Sequence, residues 1–411
     1  MKLQKFEIKN YRSCLTTKIE LLSNPTCLIG INGVGKSNIL NGLLLFKKIF
    51  TGRRYYGGNR RTSSSLSKLN TELVYQNKVV KLKCEFQYEA DEKNSDTVTN
   101  ITFKVNLKDF TKSNKWIEVP LHLFEINREL LNDLTPQYIS RHYRYTESQY
   151  IYFNNKIIRK LLQDLFSFLT SISYYSASQF SDPSKCPVSF ELEEVRMRNP
   201  NRFTNSSHEK FIQELYRTSK NNKTLFDKYI SLVNSSGIDL IEDISFNQYE
   251  MPSSSYEVRS GGKIRKIDKS RLLIIPSVTI DKSTLSFNQL SEGTFKTLAL
   301  IFYIITDKSP LLLIEEPEVC VHHGLLNSII SLILIESKKK QIVVSTHSDF
   351  VLDKLNPENI VLVKKEKGKG TVANSLQKTM SSNDFKALKQ YLLSTGNLGE
   401  YWKEGGFEHE K

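Results

Sequence analysis

Nine residues, Gly30-Ile31-Asn32-Gly33-Val34-Gly35-Lys36-Ser37-Asn38, limit what this chain can fold into more than any other stretch. They fit GxxxxGK[ST] at every fixed position. The glycines let the backbone turn tightly and bring N–H donors against phosphate oxygens, and a helix starting near Lys36 adds its positive end. Lys36 is then placed to reach the β- and γ-phosphates of a nucleoside triphosphate, and the Ser37 hydroxyl to sit on Mg²⁺. At average glycine and lysine usage, a chance match in a chain this long is on the order of one in a hundred. The flanks agree with the motif. Pro25-Thr26-Cys27-Leu28-Ile29 suits a short buried strand, and Ile39, Leu40, Leu43, Leu44 and Phe46 then recur at helical spacing.

The chain's 411 residues are enough for two or three domains. No apolar run approaches the roughly 20 residues of a membrane span, and the start Met1-Lys2-Leu3-Gln4-Lys5 leads into strand-like alternation instead of a signal segment. A cytoplasmic protein with no membrane partner is the expectation. The cysteines Cys14, Cys27, Cys84, Cys186 and Cys320 are odd in number and without a CxxC pair, which supports neither a disulfide framework nor a zinc ribbon. A formal charge of +14, from 58 basic and 44 acidic residues, fits a polyanionic partner such as DNA or RNA. A generally basic, lysine-rich proteome is the alternative source of that charge.

Residues 2 to 9 alternate apolar and polar as a half-buried strand does, and Asn10-Tyr11-Arg12-Ser13 follows as a turn. The polar segment after the first helix contains Arg53-Arg54-Tyr55-Tyr56-Gly57-Gly58-Asn59-Arg60-Arg61, which suits either a nucleic-acid grip or a solvated loop. Residues 79 to 90 and 97 to 108 form a β-rich pair. The stretch from about 121 to 169 turns helical, with Ile158, Leu161, Leu162, Leu165, Phe166 and Leu169 on one side. Ser171-Ile172-Ser173-Tyr174-Tyr175 reads as a strand, residues 190 to 245 as mostly helical, and Ser260-Gly261-Gly262-Lys263 as a hairpin turn with Ile264 to Ile267 on its return. The uninterrupted runs Leu311-Leu312-Leu313-Ile314 and Ile342-Val343-Val344 are expected as parallel strands. Leu325, Leu326, Ile329, Ile330 and Ile333 form a crossover helix between them.

Three later motifs carry chemistry. Glu315-Glu316-Pro317-Glu318 leaves a buried strand with two carboxylates, Glu315 suited to Mg²⁺ through its waters and Glu316 to orienting an attacking water. Leu290-Ser291-Glu292-Gly293-Thr294 opens an apolar helix, so Ser291 and the Gly293 backbone make a second anion site. Ser345-Thr346-His347-Ser348 ends the other strand, and His347 is expected close to the γ-phosphate.

In this order and spacing the set resembles ABC-type ATPase heads of the overcoming-lysogenization-defect, RecF and SMC-like group, and Asn10-Tyr11-Arg12-Ser13 matches their usual opening. The resemblance implies an α/β fold, a phosphate-loop ABC-type ATPase head with a mixed sheet and helices on both faces, built from N- and C-terminal lobes around a largely helical insertion. The divisions that follow are 1–110 (N-terminal lobe), 111–170 (helical insertion), 171–189 (Q-loop-like return), 190–270 (helical and hairpin insertion) and 271–411 (C-terminal lobe). It implies ATP and Mg²⁺ as cofactors. ATP would be held between two heads by Arg12, Asn32, Gly33, Gly35, Lys36, Ser37, Asn38 and Gln179 of one, with Ser291 and Gly293 of the other. Ser37, Glu315 and Gln179 would serve the metal, and Lys36, Glu316 and His347 the chemistry. Glu318 to His322 would be the D-loop, and a zinc role for His322-His323 is disfavoured because no further ligand cluster accompanies them.

Glu315 stands where transporter heads usually have Asp, and Glu292 where they usually have a second Gly; both variants resemble the overcoming-lysogenization-defect branch. About 60 residues follow the histidine motif and contain no DxD, which implies a stand-alone ATPase without its own nuclease, most like the subunits of Septu- or PARIS-type anti-phage systems. One expectation is therefore a sensor ATPase whose ATP-dependent dimer controls a separately encoded nuclease or toxin. The alternative is a RecF-type DNA repair or recombination mediator. A non-hydrolysing scaffold is disfavoured by Glu316 with His347, and a transporter ATPase by the long, basic segment before Leu290.

Overall fold

The computed structural model describes residues 1–21, 23–51, 66–90, 96–111, 116–119, 155–192, 206–258, 264–319, 321–394, 396–405 and 407. The arginine- and tyrosine-rich segment 53–61, most of the helical stretch expected from 121, the turn 260–263 and Cys320 lie outside them. The chain forms two compact units. The first is Met1–Tyr174 with Lys308–Glu316 and Ile333–Lys411; the second is Tyr175–Asp307 with Pro317–Leu332. Among the described residues no helix is long and apolar enough to cross a membrane.

Strands are numbered along the chain: β1 (Lys2–Tyr11), β2 (Cys14–Glu20), β3 (Thr26–Ile29), β4 (Leu66–Tyr75), β5 (Lys78–Ala90), β6 (Asp96–Asn106), β7 (Trp116–Glu118), β8 (Ser173–Ser176), β9 (Phe190–Leu192), β10 (Asp243–Val258), β11 (Ile264–Ile280), β12 (Ser283–Leu285), β13 (Leu311–Glu315), β14 (Gln341–Thr346), β15 (Ile360–Glu366) and β16 (Gly370–Ser375). A 12-stranded mixed sheet runs β7-β6-β5-β4-β1-β2-β16-β15-β3-β14-β13-β8, so strands from both ends of the sequence share one sheet. The fold is mixed α/β, as the motifs imply. β3 is parallel to both β15 and β14, and β14 is parallel to β13. These central strands carry uninterrupted buried apolar runs (residues 27–29, 311–314, 342–344 and 360–363) because both faces are covered. β1, β2 and β4 instead alternate buried and open residues, with Leu3, Phe6, Ile8 and Tyr11 of β1 inside.

Helix Lys36–Thr51 packs its apolar side (Ile39, Leu40, Leu43, Phe46, Ile49 and Phe50) on this sheet, with helix Lys156–Thr170 in the same core. Leu44, expected on that stripe, is only partly buried; Leu45 is fully buried. Phe50 meets Phe103 edge to face at 5.0 Å, and Phe6 meets Phe46 at 6.3 Å. A fully buried Phe contributes about 2–3 kcal/mol, so this cluster fixes where the helix begins relative to the strand ends. Gly42 lets the helix approach β1, since a Cβ there would sit 2.7 Å from Ile8 Cδ1.

In the second unit β10 and β11 pair antiparallel from Asp243↔Thr279 to Val258↔Ile264, far beyond the expected return at Ile264 to Ile267. The stretch Asp268-Lys269-Ser270-Arg271 carries no apolar alternation, so backbone pairing extends the ladder where side-chain pattern gives no signal. The expected helices appear as Ser207–Asn221 and Lys223–Val233, capped by the side chains of Ser206 and Asn222. Their core is aromatic. Phe211 lies edge-on to Phe287, Phe295 and Phe302 at 6.3, 5.6 and 5.6 Å. Two buried tyrosines secure helix Glu292–Thr306 by its carbonyls, with Tyr175 Oη donating to Lys296 O at 3.0 Å and Tyr229 Oη to Leu298 O at 3.1 Å.

Candidate functional site

The site grows out of the carboxyl end of β3. All four residues of that strand are buried, so the polar residues that follow begin at the sheet edge. Gly30 passes so close to β15 that a Cβ would lie 2.3 Å from Val363 O. Gly33 and Gly35 adopt φ of +82° and +106°, where L side chains are strained, and a Cβ on Gly35 would lie 2.2 Å from Thr371 Oγ1 and 2.7 Å from Ser13 Oγ. Lys36 opens the helix and is only 5% exposed. Its Nζ donates to the Gly30 carbonyl at 2.7 Å and the Ile31 carbonyl at 3.1 Å, which folds the ammonium into the curve of the loop. Asn32, Gly33 and Ser37 are exposed.

A chain of hydrogen bonds braces this loop from behind. Asn38 Nδ2 donates to Ser13 Oγ at 2.7 Å, Ser13 and Thr371 share a hydroxyl contact at 2.7 Å, and Thr371 Oγ1 donates to Val34 O at 2.7 Å. Because the Thr371 hydrogen is used on Val34, Ser13 is the donor to Thr371. Arg12, at φ 50° in the β1–β2 turn, donates to Asn38 Oδ1 at 3.4 Å and lies 5.4 Å over the Tyr11 ring. Ser13 and Thr371 were not among the site residues read from sequence. Thr371 lies 337 positions from Val34 and belongs to no motif.

The two acids stand at the end of β13 and His347 at the end of its neighbour β14. Thr346 of β14 pairs with Ile29 of β3, and Ser345 pairs with Glu315 of β13, so the three strands finish at one level. That common edge is where ligands bind in open α/β sheets. The Glu315 carboxylate accepts a hydrogen bond from Tyr174 Oη. Glu316 takes a left-handed φ of 47°, fixed by its N–H donating to Ser345 O at 2.9 Å. Its Oε1 lies 3.6 Å from His347 Nδ1, with the imidazole exposed. Unit one thus brings together Arg12, Lys36, Asn38, Glu315, Glu316 and His347 with the exposed Asn32, Gly33 and Ser37.

The remaining sequence candidates belong to unit two. Gln179 is exposed on the single 3₁₀ turn Ala177–Phe180. Ser291 caps helix Glu292–Thr306 by accepting from Thr294 N at 3.2 Å, and Gly293 lies in its first turn. Glu292 pairs with the buried Lys296 at 2.6 Å, one turn on. His322 Nδ1 accepts from Gly324 N at 3.2 Å.

The donor set fits a magnesium-bound triphosphate. Gly33 and Gly35 form a cradle that Cβ atoms would strain or fill, a buried ammonium sits in it, and the helix offers its first N–H groups. Among the described residues the buried Ser345 Oγ has no hydrogen-bond partner, and it faces the same side of the sheet as Glu315 and Leu28. Such an orphan suits a water of a metal shell.

A strand, a glycine loop and a helix, beside parallel strands that end in paired acids and a histidine, define a phosphate-loop nucleotide-binding α/β protein. Residues 1–352 match the AAA ATPase domain family, and the chain belongs to it. No curated protein matches the chain. Solved structures similar to it include the SMC head domain from Thermotoga maritima, at 13% identity and TM-score 0.44 over 91% of this chain and 99% of that one. An SMC head bound to the C-terminal winged-helix domain of ScpA is similar at 16% identity and TM-score 0.47, over 92% and 99%. An SMC head with an extended coiled coil, bound to a ScpA domain from Pyrococcus furiosus, is similar at 14% identity and TM-score 0.44, over 95% and 99%.

Proposed function

We propose that this chain hydrolyses ATP with Mg²⁺ in a site completed by a second copy, and that the ATP-closed dimer controls a separately encoded nuclease or toxin in a cytoplasmic anti-phage system. The observation that carries the catalytic part is the Glu316–His347 pair, 3.6 Å apart on strand ends level with the phosphate loop. Lys36 and the backbone of Asn32 to Gly35 bind the phosphates, with Asn38 and Arg12 supporting the loop, and Gln179 is assigned to the nucleotide and metal by the resemblance of the motifs alone. Ser37 and Glu315 would hold the metal and its water. Glu316 orients the attacking water and accepts its proton, and His347 steadies the γ-phosphate edge. Magnesium, when bound, neutralises the charge that develops on the phosphates.

Ser291 and Gly293, at a capped helix start, supply the second copy's anion site. Mixing is the test of that arrangement. Lys36→Ala and Ser291→Arg are each expected to be inactive alone. An equal mixture should regain roughly a quarter of wild-type turnover, because half the dimers carry one intact composite site out of two. A mixture as inactive as its parts would overturn the sandwich.

The effector role rests on the resemblance of the motifs. Co-expression with the product of an adjacent nuclease or toxin gene should give an ATP-dependent complex. The charge of +14 supports the second reading, a RecF-type mediator. That reading predicts tight ATP-dependent binding of the lone protein to duplex or gapped DNA.

A further inference from the structure

We propose that Tyr174 is a positioning residue for the divalent metal: its hydroxyl holds the Glu315 carboxylate so that, with the buried Ser345 hydroxyl, it receives the metal's water shell. This rests on the reading of Glu315 as the magnesium residue. Three observations carry it. Tyr174 Oη donates to Oε2 of Glu315, which leaves Oε1 free of that contact. Glu315 and Ser345 are directly opposite in the β13–β14 register, so their side chains stand side by side on one face. That face is the one helix Lys36–Thr51 covers, since Leu28, Leu313 and Val343 of the same rows share a core with Ile39 and Leu40.

The energetics of Ser345 point the same way. Its side chain is 0% exposed and its Oγ has no hydrogen-bond partner among the described residues. A buried hydroxyl left unpaired is destabilising, and alanine would remove that cost. Retaining a hydroxyl there makes sense if a ligand water completes it. Tyr174 answers a second need. A glutamate has one more rotatable bond than an aspartate and can swing its carboxylate away from the metal, and Mg²⁺ demands near-ideal octahedral geometry. A phenol anchored in the unit-one core removes that freedom.

The inference is tested with Mn²⁺, whose binding to the protein–nucleotide complex is read by electron paramagnetic resonance, and with thermal melting of the full chain. Tyr174→Phe should weaken Mn²⁺ binding about tenfold or more, the usual cost of removing a partner that orients a metal ligand. Metal-free nucleotide binding and the melting temperature of the nucleotide-free protein should barely change. Ser345→Ala should move two readouts in opposite directions, raising the melting temperature of the nucleotide-free protein and lowering Mn²⁺ affinity. A packing role alone moves both together or only the first. Glu315→Asp should weaken Mn²⁺ binding by itself, and Tyr174→Phe added to it should cost little more, because the shorter carboxylate no longer reaches the phenol. Unchanged Mn²⁺ affinity in Tyr174→Phe, with Glu315→Ala strongly impaired, overturns this inference and leaves the magnesium role standing. Unchanged affinity in Glu315→Ala overturns the magnesium role, and the inference with it.

Discussion

The hydroxyl of Thr371 donates to the carbonyl of Val34 at 2.7 Å, tying strand β16 to the middle of the phosphate loop. The same oxygen receives Ser13, which receives Asn38 of the loop's helix. Three separate parts of the sequence therefore set the shape of a loop whose own residues are mostly glycine and small side chains. A loop rich in glycine loses much backbone entropy when ordered, and these bonds offset part of that cost before a ligand arrives.

Thr371→Val keeps the volume and removes the donor. It leaves the Val34 carbonyl and the Ser13 hydroxyl without their partner in a fully buried position. The expected loss is about 1–3 kcal/mol in denaturant unfolding. Titration with a fluorescent ATP analogue should show weaker binding as well. Undiminished affinity would mean that the loop holds its shape without this brace.

Gly33→Ala and Gly35→Ala should differ sharply, although both positions have positive φ. A Cβ at Gly33 meets nothing within 4 Å, so only backbone strain remains, about 1–2 kcal/mol. A Cβ at Gly35 meets the Thr371 and Ser13 hydroxyls at 2.2 and 2.7 Å and must break the brace as well. Calorimetric titration with ATP should find Gly33→Ala weakened and Gly35→Ala without measurable binding. Equal affinities would show that the hydroxyls can yield.

How far the site was legible in the sequence follows from how local each signal is. Strand β3, its glycine loop and helix Lys36–Thr51 are consecutive, and each leaves its own pattern of apolar runs or fixed spacing. The β13–helix–β14 unit is equally local, so Glu315, Glu316 and His347 could be placed on strand ends before any coordinates. Ser13, Tyr174, Ser345 and Thr371 act through contacts between distant segments. A serine, threonine or tyrosine looks the same in sequence whether it braces a loop or faces water. The length of the β10–β11 hairpin was hidden for a different reason. Its ladder satisfies backbone groups through a charged stretch, and backbone pairing leaves no mark on side-chain order.

His208 gives the fold an acid-sensitive point. Burial holds its pKa below the ordinary 6.5, Lys185 adds to that, and the contacts with the Ser181 carbonyl and Asp182 oppose it. The ring stacks on Phe295 at 5.2 Å with Nε2 3.0 Å from Ser181 O. The unfolded chain binds this proton more readily than the folded one, so stability falls as pH drops below about 6.5 toward the folded value. Melting temperatures taken from pH 7.5 to 5.5 should decline, and His208→Gln should flatten that part of the decline. An equally steep profile in the variant would assign the acid sensitivity to other groups.

Glu316→Gln separates binding from cleavage. The backbone of Glu316 is held in its left-handed turn by the bond to Ser345 O at 2.9 Å, and glutamine can keep that conformation and nearly the same volume. What it loses is the carboxylate that stands 3.6 Å from His347 and can accept a proton from water. A positioned general base contributes about 10²–10⁴-fold, so phosphate release should fall by at least two orders of magnitude while ATP affinity stays near wild type. If cleavage is what reopens the dimer, the variant should also accumulate as an ATP-bound dimer by light scattering, where the wild-type protein returns to its nucleotide-free state. Turnover at wild-type rate would remove Glu316 from the chemistry. Lost turnover without dimer accumulation would leave it as the base and separate cleavage from assembly.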